Sequence, residues 1–136
     1  MNKEQEFANN LLDFVHTSPS PFHVAANVRD TLVANGFAEL GLTDRWQIGT
    51  STEGNGRYFV TRNDSAIIAF VMGSAEIETH GFRLIGTHTD APSFRAKPRP
   101  EMVAEQTYLR LNVESYGSPI LNTWLDRPLS MAGRVS

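Results

Sequence analysis

The sequence predicts an α/β fold on three observations. Apolar residues recur at helical spacing through residues 3–17, and again between Pro21 and Asn35. From Phe37 the pattern changes to short alternating or wholly apolar runs cut by turn residues, the mark of strands. One of these runs, Phe82 to Thr87, leads directly into a histidine, His88, followed by small and turn-forming residues.

The first helix carries Phe7, Leu11, Leu12, Phe14 and Val15 at spacings of three and four, with Glu4, Glu6, Asn10 and Asp13 around them. Ser18-Pro19-Ser20-Pro21 ends it, because proline cannot continue a helix and biases the residue before it towards extended geometry. The same residues open the second helix, with Ser20 as N-cap and Pro21 at the first helical position. Val24, Val28, Leu32 and Val33 make its buried stripe, and Asn35-Gly36 its stop.

Arg45–Gly49 is a short strand candidate, and Thr50–Gly56 a loop. Arg57–Arg62 alternates as a strand does, and Asn63-Asp64-Ser65 is a turn. Ala66–Met72 is continuously apolar, which predicts a central strand covered on both faces. Gly73–Gly81 is a polar connection, and Phe82–Thr87 the next buried strand. Pro92–Pro100, rich in proline and carrying Arg95, Lys97 and Arg99, reads as a connector. Glu105–Glu114 reads as a strand, Gly117-Ser118-Pro119 as a turn, and Leu129–Val135 again has strand character. A strand that stops in mid-pattern leaves an unpaired edge, so the chain is expected to be one piece of a larger functional unit.

Bulk properties narrow the function. Of the 136 residues 40% are apolar and 20% charged, enough for a core and unlike a disordered chain. The net charge is −3, with 12 basic and 15 acidic residues mixed along the chain, so no nucleic-acid partner is expected. The longest apolar run has seven residues, Ala66–Met72, where a membrane span needs about 20, so no membrane partner is expected either. There are no cysteines, which excludes thiolate metal sites and fits a cytoplasmic location.

The chemistry centres on Gly86-Thr87-His88-Thr89-Asp90-Ala91-Pro92-Ser93. Ligands of open α/β sheets gather at the carboxyl ends of strands. Imidazole is a common zinc ligand whose second nitrogen normally donates to a carboxylate or carbonyl. On an extended backbone, a carboxylate two residues on lies on the same side. His88 with Asp90 therefore makes sense as one ligand and its support, yet the spacing alone also describes a polar surface loop and favours that reading.

A catalytic zinc usually takes three protein ligands and keeps an open position. His80 opens the strand that His88 closes, and eight extended residues span roughly 26 Å at about 3.3 Å each, too far to share an ion. His16 and His23 sit at helix ends, where capping or partial burial is the ordinary role. The sequence contains no HExxH pair and no phosphate loop, and nothing like a nucleophile elbow surrounds Ser93.

The stretches LLDFVHTSPSPFHVAANVRDTL, LIGTHTDAPSFRAKPRPE and YLRLNVESYGSPILNTWLDRPLSMAGRVS, in this order, resemble the N-terminal part of the aspartyl aminopeptidase family of zinc metallopeptidases. The resemblance implies a zinc-exopeptidase-type α/β catalytic domain that begins in residues 1–97. It implies that residues 98–136 begin an inserted, β-rich oligomerisation domain, with Trp124-Leu125-Asp126-Arg127, which by residue type alone reads as a packed turn, at its start or facing a neighbouring subunit. It implies a homo-oligomeric aminopeptidase that releases acidic residues, Asp or Glu, from peptide N-termini by hydrolysis at two zinc ions. The metals would polarise the scissile carbonyl and lower the pKa of a bridging water, whose proton a glutamate further along would take.

In that pattern His88 is a zinc ligand, and Asp90 is the catalytic-site residue that supports it. The remaining ligands are expected beyond residue 136, so this polypeptide alone is expected to bind no zinc tightly and to be inactive. The other reading is a catalytically inactive binding or assembly module derived from such an enzyme.

Overall fold

The computed structural model of the chain describes residues 2–49 and 56–135. The elements are, in order, helix α1 (Lys3–Thr17), helix α2 (Pro21–Ala34), strands β1 (Ala38–Glu39), β2 (Arg57–Arg62) and β3 (Ala66–Val71), a short helix α3 (Ile77–His80), strands β4 (Ser93–Ala104) and β5 (Tyr108–Tyr116), and a 3-10 turn, Leu121–Thr123. Helix and sheet are mixed, as an α/β chain requires. By their contacts the residues form two compact units, Met1–Thr89 with Ala132–Ser136, and Asp90–Met131.

Local chemistry sets both long helices of the first unit. The Asn2 side chain accepts from Gln5 N while the Gln5 side chain accepts from Asn2 N, a reciprocal capping box. Ser20 caps α2 and Pro21 opens it. Between them, Asn27 Nδ2 donates to Thr17 O at 3.0 Å and to Ser18 Oγ at 2.9 Å, which fixes the Ser/Pro corner. In the expected stripe of α2, Val24, Val28 and Leu32 are half-buried and Val33 is exposed; the buried residue is Ala25. The apolar stripe of α1, with Phe7, Leu11, Leu12 and Val15, is exposed.

The sheet of this unit has the order β1-β2-β3, with β1 parallel and β3 antiparallel to β2. The central strand is thus β2, and it holds the core: Tyr58, Phe59 and Val60 are buried, Phe59 completely. This corrects the expectation for Ala66–Met72. Among the described residues β3 pairs on one side only, and Ile68 and Val71 are exposed. A continuous apolar run reports a capacity for burial on both faces, and no described element covers β3 in that way. Asn63 and Asp64 both have positive φ, 53° and 54°, the geometry of a tight primed turn.

Three further strand expectations fail. Arg45–Gly49 is irregular: Trp46 packs on Phe70 with ring centroids 6.3 Å apart, and Gly49 N donates to the Tyr58 hydroxyl rather than to a strand. Phe82–Thr87 also forms no strand, and Phe82, Leu84 and Ile85 are more than four-fifths exposed at 81%, 91% and 95%. Extended geometry becomes a strand only through a ladder partner, and no described strand pairs with these residues. Thr50–Asn55, most of the expected loop, lies outside the described residues. Leu129–Val135 forms no strand.

The second unit is built on a hairpin of β4 and β5, antiparallel from Ser93↔Tyr116 to Ala104↔Tyr108. Pro92–Pro100 is therefore mostly strand and not a connector. The ladder tolerates its prolines because the register shifts between Ala96 and Glu101, a bulge in which Arg99 takes φ 53°. The boundary drawn after Lys97 falls inside this bulge, whereas the compact units divide between Thr89 and Asp90. Glu105 and Gln106 have φ of 50° and 55° and make the hairpin turn, so β5 starts at Tyr108 and not at Glu105. Phe94 meets Trp124 edge to face, with ring centroids at 5.3 Å, which packs the Trp124-Leu125-Asp126-Arg127 turn onto β4.

Candidate functional site

His88 is the penultimate residue of the first unit's long segment and Asp90 opens the second unit. The approach to His88 is not the strand end that the sequence suggested: the segment from Phe82 is irregular and the chain bends at Thr89. The His88 side chain is exposed. Thr89 is anchored by its hydroxyl, which donates to Ser65 O at 2.9 Å and so ties this segment to the β2–β3 turn.

Asp90 is half-buried and held from within its own unit. The Tyr116 hydroxyl donates to Asp90 Oδ2. Tyr116 is the last residue of β5, opposite Ser93 in the register, so the hairpin carries its side chain back to the residues just before β4. The contact is favoured by Gly117. Its φ is 72°, and a Cβ there would stand 3.3 Å from Pro92 Cα, so any other residue would be strained and would press the two segments apart by a few tenths of an ångström.

Arg95 completes the group. Its guanidinium lies over the Tyr116 ring, 3.5 Å from the centroid. The Asp90 hydrogen bond, with the Asp90 charge behind it, raises the pKa of the Tyr116 hydroxyl, so the proton stays on tyrosine and the carboxylate stays the acceptor. The sequence singled out Arg95, Lys97 and Arg99 only as nearby cations. It missed Tyr116 altogether, because that contact spans 26 positions and depends on the hairpin register.

Two of the other histidines have local partners. His23 Nδ1 lies 2.7 Å from Ser20 Oγ, the α2 cap. His80 ends α3, with its Nδ1 3.3 Å from Glu76 O. His16 lies in the last turn of α1. Among the described residues no group of three or more His, Cys, Asp or Glu side chains is placed to hold a metal ion. His88 offers one imidazole donor, but a zinc ion held in the usual way asks for more protein donors than these residues assemble. The described residues do not by themselves fit a zinc ion. No described helix is long and apolar enough to cross a membrane.

Comparison with known proteins identifies the family. Residues 14–136 match the family model described as aminopeptidase I zinc metalloprotease, M18. The chain belongs to the M18 family of aminopeptidases. It is 55% identical over 136 residues to a probable M18 family aminopeptidase 2 of Clostridium acetobutylicum, covering 100% of this chain and 30% of that protein. Among solved structures it resembles one in the Ape4 and Nbr1 complex, with a TM-score of 0.79 and 41% identity over 88% of this chain and 22% of that one. It also resembles the mApe1 dodecamer of S. cerevisiae, with a TM-score of 0.78 and 27% identity over 93% of this chain and 28% of that one. The chain thus spans about a third or less of the proteins it matches.

Proposed function

We propose that this chain supplies the first part of an aminopeptidase that releases N-terminal Asp or Glu from peptides by zinc-dependent hydrolysis, and that it is inactive by itself. The observation that carries the proposal is the family match over residues 14–136, which includes both His88 and Asp90. His88 is the zinc ligand of this reading and Asp90 the residue that supports it. The zinc, two ions in the intact enzyme, takes its further donors from residues outside this chain, in keeping with the 30% of a full-length relative that the chain spans.

The hairpin of the second unit is read as the start of a β-rich oligomerisation domain inserted into the catalytic one. The dodecamer formed by a related protein supports a homo-oligomer for the whole protein. The place of action is the cytoplasm, supported by the cysteine-free sequence. The second reading, an inactive binding or assembly module, is favoured by the lack of a three-donor group among the described residues.

The test compares the 136-residue chain with the full-length protein that contains it. Full-length protein is expected to carry zinc and to cleave an aspartyl-arylamide faster than a leucyl one, and His88→Ala to lose both zinc and turnover. Full-length protein without zinc and without turnover leaves the module reading. Zinc-dependent turnover by the short chain alone sinks the claim that it is inactive.

A further inference from the structure

We infer that Tyr116 is a positioning residue for Asp90, and that Arg95 steadies it by lying over its ring. The inference rests, for its effect on catalysis, on the proposed role of Asp90; the geometry stands without it.

A carboxylate on a short side chain rotates about two bonds, and a supporting carboxylate serves only in the rotamer that aims one oxygen at the group it orients. The Tyr116 hydroxyl occupies Asp90 Oδ2 and so selects one rotamer. Tyr116 is itself constrained at three points. Its backbone is opposite Ser93 in the β4–β5 ladder. Gly117, the next residue, has positive φ and abuts Pro92, where an added Cβ would press on Pro92 Cα at 3.3 Å. The Arg95 guanidinium covers its ring at 3.5 Å. The segment from Asp90 to Pro92 is thereby fixed to the far end of the hairpin, which neither residue type nor spacing announces.

The experiment uses the full-length protein in four forms: wild type, Tyr116→Phe, Asp90→Asn and the double variant. Tyr108→Phe, at an exposed tyrosine on the same strand, is the control. Tyr116→Phe is expected to lower kcat about tenfold, the usual scale for a residue that orients a ligand or its support, with KM little changed. It is expected to add nothing in the Asp90→Asn background, because Tyr116 acts through that carboxylate. Ultraviolet resonance Raman provides a readout independent of turnover. The tyrosine signature of a strong hydrogen-bond donor is expected in wild type and in Tyr108→Phe; it is expected to be lost in Tyr116→Phe and to weaken in Asp90→Asn, whose neutral amide oxygen is the poorer acceptor.

Wild-type kcat in Tyr116→Phe beside an impaired Asp90→Asn overturns the positioning role, and so do losses that multiply in the double variant. A donor signature unchanged by Asp90→Asn overturns the contact itself, even if Tyr116→Phe does not fold. Wild-type turnover in Asp90→Asn sinks the role given to Asp90, and this catalytic effect with it, while the Raman result still decides the geometry.

Discussion

Arg134 Nη1 stands 3.0 Å from Asp64 Oδ2, and its guanidinium lies over the Phe22 ring at 4.7 Å. The residues that follow the second unit are thus tied to the β2–β3 turn and to the start of α2, within the first unit. Both side chains of the ion pair are substantially exposed, at 48% and 77%, so the pair is screened by water and salt. Arg134→Ala is expected to cost no more than about 1 kcal/mol of the first unit's stability. Its clearer effect is local: hydrogen exchange at the 132–135 backbone is expected to speed up, while that of β2 stays slow. Unchanged exchange at 132–135 would show that the arginine does not hold this segment.

Among the described residues, Phe59 is the one large side chain fully removed from solvent, at 0% exposure on the central strand β2. Its ring is the centre of the first unit's core, so truncation leaves a cavity as well as losing the transfer free energy. Phe59→Ala is expected to destabilise that unit by about 3–5 kcal/mol in urea unfolding. Val33→Ala, at a side chain 51% exposed on α2, is expected to stay within about 1 kcal/mol of wild type. Equal losses for the two would place the core elsewhere than on β2.

What the sequence made legible is what depends on near neighbours. Ser20 and Pro21 begin α2 as expected because capping acts within three residues. Asn63-Asp64 marks the β2–β3 turn because those residue types tolerate positive φ. The misreadings concern partners. Ala66–Met72 had the composition of a central strand, but centrality is decided by what pairs on either side, and β2 took that place. Phe82–Thr87 had strand composition without a described ladder partner. Pro98 and Pro100 disguised β4 because the bulge that admits them is set by register against β5. The same reason hid Tyr116. His88 and Asp90 were conspicuous by residue type alone, while the group holding Asp90 in place comes from another strand.

Glu39 provides a pH test. Arg29 Nε donates to its Oε2 at 2.9 Å and Thr61 Oγ1 to its Oε1 at 3.2 Å, joining α2, β1 and β2. The hydrogen bond from Arg29 is the largest cause holding the Glu39 carboxyl below its ordinary pKa; desolvation opposes it. A carboxyl depressed in the folded state contributes stability that is present above its unfolded pKa. That stability is lost as pH falls through the lower, folded value. Wild type is therefore expected to lose stability on acidification more steeply than Glu39→Gln across the carboxylate range, with the two curves running parallel near neutrality. The measurement is urea midpoint against pH at low salt. Parallel curves throughout would mean that the Arg29 contact is not maintained in solution.

Gly117 links backbone geometry to the candidate site. Its φ of 72° disfavours any side chain, and a Cβ would press on Pro92 Cα at 3.3 Å. Gly117→Ala must relieve both, either by twisting the end of β5 or by pushing Pro92 away. Tyr116 and Asp90 lie immediately beside these two points, so either movement disturbs the hydrogen bond between them. The substitution is expected to cost at least about 1 kcal/mol of the second unit's stability, more than a compatible glycine-to-alanine change gains. Gly133→Ala is the matched control, since a Cβ at Gly133 meets nothing within 4 Å. The decisive observation is the Tyr116 hydroxyl. The Asp90 hydrogen bond raises its pKa in the wild type, so that pKa is expected to drop towards the ordinary tyrosine value in Gly117→Ala and to stay raised in Gly133→Ala. Alkaline absorbance titration, with Tyr116→Phe subtracted to isolate the one phenol, reads the difference. A Tyr116 titration indifferent to Gly117→Ala would show that the Gly117–Pro92 approach is not what brings Tyr116 to Asp90.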